Sequence, residues 1–323
     1  MRFLALVFLY ACSTLCAGQA LPSWNEGNAK ARIVSFVHAV SDKKSKDYVP
    51  PAQRIAVFDN DGTLWAEQPM YFQFLFAIDR VKALAPQRPE WKEAEPYASL
   101  LKGDTKGALG RGEHALLDIL AASHSGMTTG EFENVVKDWF VTARHPRFKQ
   151  PYNRVVYQPM VELLRFLRAN GFKTYIVSGG GVEFMRVFAE QAYGIPPEQV
   201  IGTSGKQKFE LRDGKPVLVK VPAVDFLDDK EGKPINIQKI IGRRPLAAFG
   251  NSDGDLQMLQ YSAAGPGARL ALIVHHDDAE REYAYDRQSS IGKLDQALDE
   301  AKAKNWIVVS MKSDWKKIFS FEK

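Results

Sequence analysis

The sequence predicts the α/β class: an open, mainly parallel sheet covered on both faces by helices. Four short runs rich in β-formers, Arg54-Ile55-Ala56-Val57-Phe58, Thr174-Tyr175-Ile176-Val177, Leu246-Ala247-Ala248-Phe249 and Leu270-Ala271-Leu272-Ile273-Val274, each lie near a stretch of helical periodicity. A strand that is apolar on both faces belongs to a sheet sandwiched between helices. Three of the four runs pass directly into a polar turn, and open parallel sheets gather ligands outside the carboxyl ends of their strands.

In chain order, Met1-Arg2 precedes an apolar run from Phe3 to Ala17, broken only by Ser13 and Thr14, with small residues at Ala17, Gly18 and Ala20. The run is shorter than the roughly twenty residues a spanning helix needs, and its flanks are those of a secretory signal peptide. The expected signal is 1–20, cleaved at Gly18-Gln19-Ala20, and the expected location is the periplasm or the medium. Leu9-Tyr10-Ala11-Cys12 loosely imitates a lipidation box, although Tyr10 is bulky there. Asn25 to Ser41 then reads as a helix and Lys43 to Pro51 as a proline-terminated loop. After the first strand, helical periodicity covers Pro69 to Ala85, Gly112 to Ala122, Thr129 to Thr142 and Pro159 to Asn170. The last of these stops at Asn170-Gly171 and is the expected crossover helix to the second strand. The remainder, 66–150, is a helical insertion at the carboxyl end of the first strand, and the sheet domain comprises 21–65 and 151–323. Lys208 to Val221 alternates like a hairpin around Asp213-Gly214.

At 323 residues, 45% hydrophobic and 25% charged, the chain buries a sizeable core and is neither disordered nor a disulfide-stapled miniprotein. A formal charge of +5, spread without a basic block, does not argue for nucleic acid. Both cysteines, Cys12 and Cys16, fall in the signal, so the mature chain is expected to use neither disulfides nor thiol chemistry. No later stretch reaches spanning length, and no stable membrane span is expected after signal removal.

The polar turns are Asp59-Asn60-Asp61-Gly62-Thr63, Ser178-Gly179-Gly180-Gly181 and Gly250-Asn251-Ser252-Asp253-Gly254-Asp255. Two carboxylates two residues apart divide a substitution between a nucleophile and a proton carrier, which suits a phosphate ester. The charge of that nucleophile needs offsetting against an anionic substrate, and a hard cation such as Mg²⁺ does so through oxygen ligands. Asn251, Asp253 and Asp255 would complete such a cage. The Ser178 hydroxyl, N–H groups at Ser178-Gly179 and an ammonium from elsewhere would hold the phosphoryl oxygens. Taken singly, the first turn also reads as an Asx turn and the second as a strand-to-helix turn. An EF-hand is excluded, because Val57 and Gln68 stand where its first and last ligands belong.

Together these residues resemble a family. Asp59-Asn60-Asp61-Gly62-Thr63-Leu64 after an apolar strand, then Ser178, then Lys233, then Gly250 to Asp255 look like the four ordered motifs of the haloacid dehalogenase superfamily, over roughly Arg54 to Val274. Val177-Ser178-Gly179-Gly180 and the run from Lys233 to Ile240 are similar to its phosphoserine-phosphatase-like branch. The Asn305-Trp306-Ile307-Val308-Val309 tail gives a looser likeness to secreted phosphorylcholine phosphatases. The resemblance implies a Rossmann-like core with a helical cap over 66–150 that chooses the substrate, and Mg²⁺-dependent hydrolysis of a small exported phosphomonoester through an aspartyl-phosphate. It implies Asp59 as nucleophile, Asp61 as general acid and base whose main-chain carbonyl also binds Mg²⁺, and Ser178 and Gly179 at the phosphoryl group. Lys233 would neutralise charge, with Lys239 and Lys230 as competitors for that role, and the acidic residues of the last motif would fix the metal. Where the family usually has Asp this chain has Asn251, which leaves Asp253 or Asp255 to take its place and predicts weaker Mg²⁺ binding. A phosphotransferase of the same fold, or a binding protein that has lost turnover, is the competing expectation.

Trp65 and Glu67 lie just past the first turn, where an acid and an aromatic face would suit a substrate ammonium; the competing reading has Trp65 packing the insertion and Glu67 capping a helix. His275-His276 reads as an exposed loop pair, and His114, His124 and His145 as packing or solvent-facing residues. Tyr71, Phe72, Phe74 and Phe76 read as core. The oligomeric state is not legible.

Overall fold

The computed structural model describes residues 20–110 and 113–322; residues 1–19 of the expected signal peptide, with both cysteines, lie outside them. Helix α1 (Asn28–Ser41) leads into β1 (Ile55–Phe58). The helices α2 (Phe72–Leu84), α3 (Tyr97–Leu101), α4 (Thr105–Leu109), α5 (Glu113–His124), α6 (Thr129–Thr142) and α7 (Gln158–Ala169) follow before β2 (Lys173–Gly181). Next come α8 (Val182–Tyr193), β3 (Val200–Arg212), β4 (Lys215–Phe226), α9 (Gly232–Ile240), β5 (Ala247–Gly250), α10 (Leu256–Ala263) and β6 (Leu270–Asp277). The chain ends with β7 (Ala284–Tyr285), α11 (Gln296–Ala303), β8 (Ile307–Ser310) and α12 (Met311–Asp314).

The eight strands among the described residues join one sheet in the order β4-β3-β2-β1-β5-β6-β7, with β8 also paired to β6. The pairs β3–β2, β2–β1, β1–β5, β5–β6 and β6–β8 are parallel, as the four apolar runs predict. Buried Ile55, Val57, Val177 and Ile273 face one layer of helices, while Ala56, Phe58, Ile176 and Leu272 face the other, which is why these positions are apolar on both faces of the sheet. Phe58 pairs with both Ile176 and Phe249, so the residues after β1, β2 and β5 emerge at one edge. Register alone thus brings the three polar turns together.

The hairpin is longer than Lys208 to Val221. Its first arm begins inside the main sheet, with Val200, Ile201 and Gly202 paired to Ile176, Val177 and Ser178, and then runs outward against β4. Asp213 (φ 50°) and Gly214 (φ 74°) are both left-handed, the pairing that a two-residue hairpin turn requires. Between β1 and α7, Phe74, Ile78, Val81, Leu100 and Ile119 form a small apolar cluster of their own, but Phe72, Phe76, Trp139 and Phe140 join the main core. Phe76 and Phe140 each lie 5.5 Å from Phe184 of α8. Each such fully buried ring contributes roughly 1.5–3 kcal/mol, so the insertion is seated on the sheet layer through its aromatic residues. Among the described residues, no helix is long and apolar enough to cross a membrane.

Candidate active site

The position of Asp59 is fixed by backbone. Asp59 donates its N–H to Phe249 O at 2.9 Å, continuing the β1–β5 ladder by one residue. Asn60 O then accepts the N–H groups of Thr63 and Leu64, which closes the turn and directs Asp59 and Asp61 out of the sheet edge. Gly62 sits in the left-handed region (φ 74°), and a Cβ there would come within 2.1 Å of Asn251 Nδ2; the turn and the close approach both require glycine.

Lys233, at the start of α9, is 2% exposed, and its Nζ donates to Asp59 Oδ1 at 2.7 Å and to Asp255 Oδ1 at 2.5 Å. Burial works against the ammonium, but Asp255 and Asp59 outweigh it and hold the amine above its ordinary range. Burial and the negative charge of Asp255 raise the Asp59 carboxyl well above its usual value, against the pull of Lys233. Asp255 Oδ2 accepts the backbone N–H groups of Asn251 (2.9 Å) and Ser252 (3.0 Å), which ties the last turn to the same point. Neither Lys239 nor Lys230 makes these contacts; Lys239 lies over the Phe226 ring instead.

Asp61 is also raised by burial, while the indole N–H of Trp65 donates to its Oδ1 at 2.9 Å and opposes that rise. The Trp65 ring is stacked on Phe188 at 4.4 Å, so α8 orients Asp61 through the indole. The Ser178 hydroxyl is buried and accepts the Gly180 N–H at 3.2 Å, and Gly179 O accepts from Thr203 Oγ1 at 2.8 Å. The backbone bulges between Ser178 and Gly181, the irregularity that lifts this turn out of the ladder.

Two expectations are corrected by geometry. Glu67 does not face a substrate ammonium: it is 2% exposed, and its Oε1 accepts from Asn251 Nδ2 at 2.7 Å and from Tyr285 OH at 2.8 Å. Burial first, then the charges of Asp61 and Asp59, raise its carboxyl well above the usual range. Nor does Asp253 join Asp255 at the Lys233–Asp59 contact. Its Oδ1 accepts the N–H groups of Asp295 and Ala297, both at 2.9 Å, at the start of α11, where unpaired helix donors attract a carboxylate.

The sequence reading also missed residues around the turn. His276 is buried rather than in an exposed loop, because β6 continues through Asp277; its Nε2 lies 2.8 Å from Gly62 O and its Nδ1 3.4 Å from buried Glu282. Its ring stacks on Tyr285 at 4.3 Å, so the partners of Glu67 and of Gly62 support one another. Asp228 is fully buried beside Lys233 and Asn236 with neither carboxylate oxygen in a well-formed hydrogen bond, and burial pushes it up to about 7. Only the spacing of Trp65 four residues after Asp61 was visible in the sequence.

Among the described residues, no three His, Cys, Asp or Glu side chains are gathered tightly enough to hold a metal ion by themselves. Asp59, Asp61, Glu67 and Asp255 nevertheless give the site several carboxyl groups, with Lys233 as the ammonium that bridges two of them.

The family model of haloacid dehalogenase-like hydrolases matches residues 56–260. The chain belongs to that family. The match runs from β1 through most of α10, and so includes all three polar turns and Lys233. A conserved, functionally unknown protein from Anaerococcus prevotii DSM 20548 is similar in structure, at 17% identity and a TM-score of 0.56, over 89% of this chain and 94% of that one. A protein with unknown function from Bordetella pertussis Tohama I is 17% identical, with a TM-score of 0.49 over 80% of this chain and 98% of that one. A probable phosphoserine phosphatase from Vibrio cholerae is 16% identical, with a TM-score of 0.38 over 71% and 58% of the two chains. At such identities the likeness is one of fold, and the first of the three carries it. No curated protein matches this chain.

Proposed function

We propose that this haloacid dehalogenase-like hydrolase is a Mg²⁺-dependent phosphomonoesterase that works through an aspartyl-phosphate at Asp59. The observation that carries the reading is the bridge from Lys233 to both Asp59 and Asp255, with Asp61 held by Trp65 beside it. In the first step an Asp59 oxygen bonds to phosphorus as the phosphorus–oxygen bond to the alcohol breaks, and Asp61 gives its proton to the departing oxygen. In the second, Asp61 takes a proton from water, the water oxygen bonds to phosphorus, and the Asp59–phosphorus bond breaks to release inorganic phosphate. A carboxyl raised by burial is suited to carrying that proton. Ser178 and the Gly179 N–H group would hold phosphoryl oxygens, and Lys233 opposes the rise of the Asp59 carboxyl and would offset negative charge as an anionic ester approaches.

The donor set fits Mg²⁺, which keeps several waters and takes one or two carboxylates rather than a closed protein cage. Asp59, the main-chain carbonyl of Asp61 and Asn251 would hold it, with Asp255 supporting from behind Lys233. When bound, Mg²⁺ supplies charge stabilisation for the transferring phosphoryl group. The proposal includes a cap role for 66–150 and export to the periplasm or medium, the latter resting on the composition of 1–20. The experiment is phosphate release by the mature chain from a panel of phosphomonoesters with Mg²⁺, with and without an acceptor alcohol. Release to water is the expected result; transfer to the alcohol in preference to water, or no release from any ester, overturns it.

A further inference from the structure

A cavity of about 340 Å³ opens beside the Ser178–Gly181 turn, bounded by α5, α6, the start of α8 and the β3–β4 hairpin. Its position relative to Asp61 is informative. A Cβ on Gly180 would stand 3.5 Å from Asp61 Oδ2 and 3.6 Å from Gln73 Oε1, so the two side chains flank the same glycine. Gln73 is held there by the Gly181 N–H, which donates to its Oε1 at 2.6 Å, and Gln73 also lines the cavity. Gly180 thus separates Asp61, the proton donor of the proposed reaction, from a residue of the cavity wall.

The walls carry charge, but it is spent internally. Lys220, 3% exposed, is ion-paired with Glu183 and lies 4.7 Å over the Phe132 ring. Glu183 also accepts from Gln207. Burial and the neighbouring Lys220 push His124 down to about 3, which leaves it neutral, with Nδ1 2.9 Å from Ser123 Oγ. Of the lining residues, the other charged one is Asp118, exposed at the rim. Phe132 and Phe184 supply apolar surface. A charged group entering such a space gives up water without gaining a counter-charge, whereas a neutral one does not.

We infer that this cavity receives the leaving group, and that it selects phosphomonoesters of uncharged, partly apolar alcohols over those whose alcohol carries an ammonium or a carboxylate. The inference rests on the phosphomonoesterase reading and adds the substrate class. It is tested by kcat/KM of the full mature enzyme with Mg²⁺ for phenyl phosphate, phosphocholine and 3-phosphoglycerate, in the wild type, Glu183→Gln and Lys220→Met. In the wild type, phenyl phosphate is expected to exceed both charged esters at least tenfold. Glu183→Gln unpairs an ammonium and is expected to move the 3-phosphoglycerate to phenyl phosphate ratio up at least fivefold; Lys220→Met unpairs a carboxylate and does the same for phosphocholine. Ratios between substrates are not moved by a general loss of folded enzyme. Equal use of charged and neutral esters by the wild type, or ratios unchanged in both variants, overturns the pocket assignment alone; no hydrolysis of any ester overturns the phosphatase reading and this inference with it.

Discussion

Glu67 Oε1 accepts a 2.7 Å hydrogen bond from the side-chain amide of Asn251, and neither residue is more than 2% exposed. The Oδ1 of the same amide accepts from Thr63 Oγ1 at 3.0 Å. Position 251, read from sequence as a lost charge, therefore stands one hydrogen bond from a carboxyl group on the other side of the Asp59–Thr63 turn. A carboxyl that orients a ligand from behind typically accounts for tenfold to hundredfold in metal affinity.

That pairing changes what Asn251→Asp should do. The substitution sets two buried carboxyls against one another, and both cannot ionise. We expect it to lower stability by about 1–3 kcal/mol without tightening Mg²⁺, as measured by thermal melting and by calorimetric Mg²⁺ titration. Asn251→Asp combined with Glu67→Gln restores a donor–acceptor pair and should recover the melting temperature. A tighter Mg²⁺ midpoint in the single variant with an unchanged melting point contradicts this.

Trp65 holds Asp61, the proton carrier of the proposed mechanism, rather than a substrate. Trp65→Phe keeps most of the stacking on Phe188 and removes the 2.9 Å hydrogen bond to Asp61. A loss of orientation of about 1.4 kcal/mol corresponds to a roughly tenfold fall in kcat, with KM little changed because the indole lies behind Asp61. Steady-state kinetics with a phosphomonoester measure both; a raised KM at constant kcat is incompatible with that role.

His124 supplies a pH dependence of stability. Burial, assisted by Lys220, lowers it to about 3 in the fold, whereas the unfolded chain binds the proton near 6.5. Between those values the unfolded state holds more protons, so stability falls as pH drops from about 6.5 toward 3, by at most about 1.4 kcal/mol per pH unit from this group. Melting temperatures from pH 7 to pH 4 should fall less steeply in His124→Phe than in the wild type. Parallel curves count against it.

Much of the site was legible because register does the assembling. Once Arg54–Phe58, Thr174–Val177 and Leu246–Phe249 are read as neighbouring parallel strands, Asp59, Ser178 and Asn251 must emerge at one edge, and they do. What escaped the sequence depends on contacts distant along the chain. Tyr285 reaches Glu67 across 218 residues and His276 reaches Gly62 across 214, and no local pattern announces either. Asp253 and Asp255 are both plausible ligands by spacing, yet α11 takes one and Lys233 the other. The hairpin turn was visible, but not that its first arm begins as a strand of the main sheet.

The most direct measurement is acid-quench trapping of enzyme incubated with a ³²P-labelled phosphomonoester and Mg²⁺, comparing the wild type with Asp59→Asn. Label is expected on the peptide containing Asp59 in the wild type, with neither label nor turnover in the variant. Turnover retained by Asp59→Asn, or label on a different residue, contradicts it.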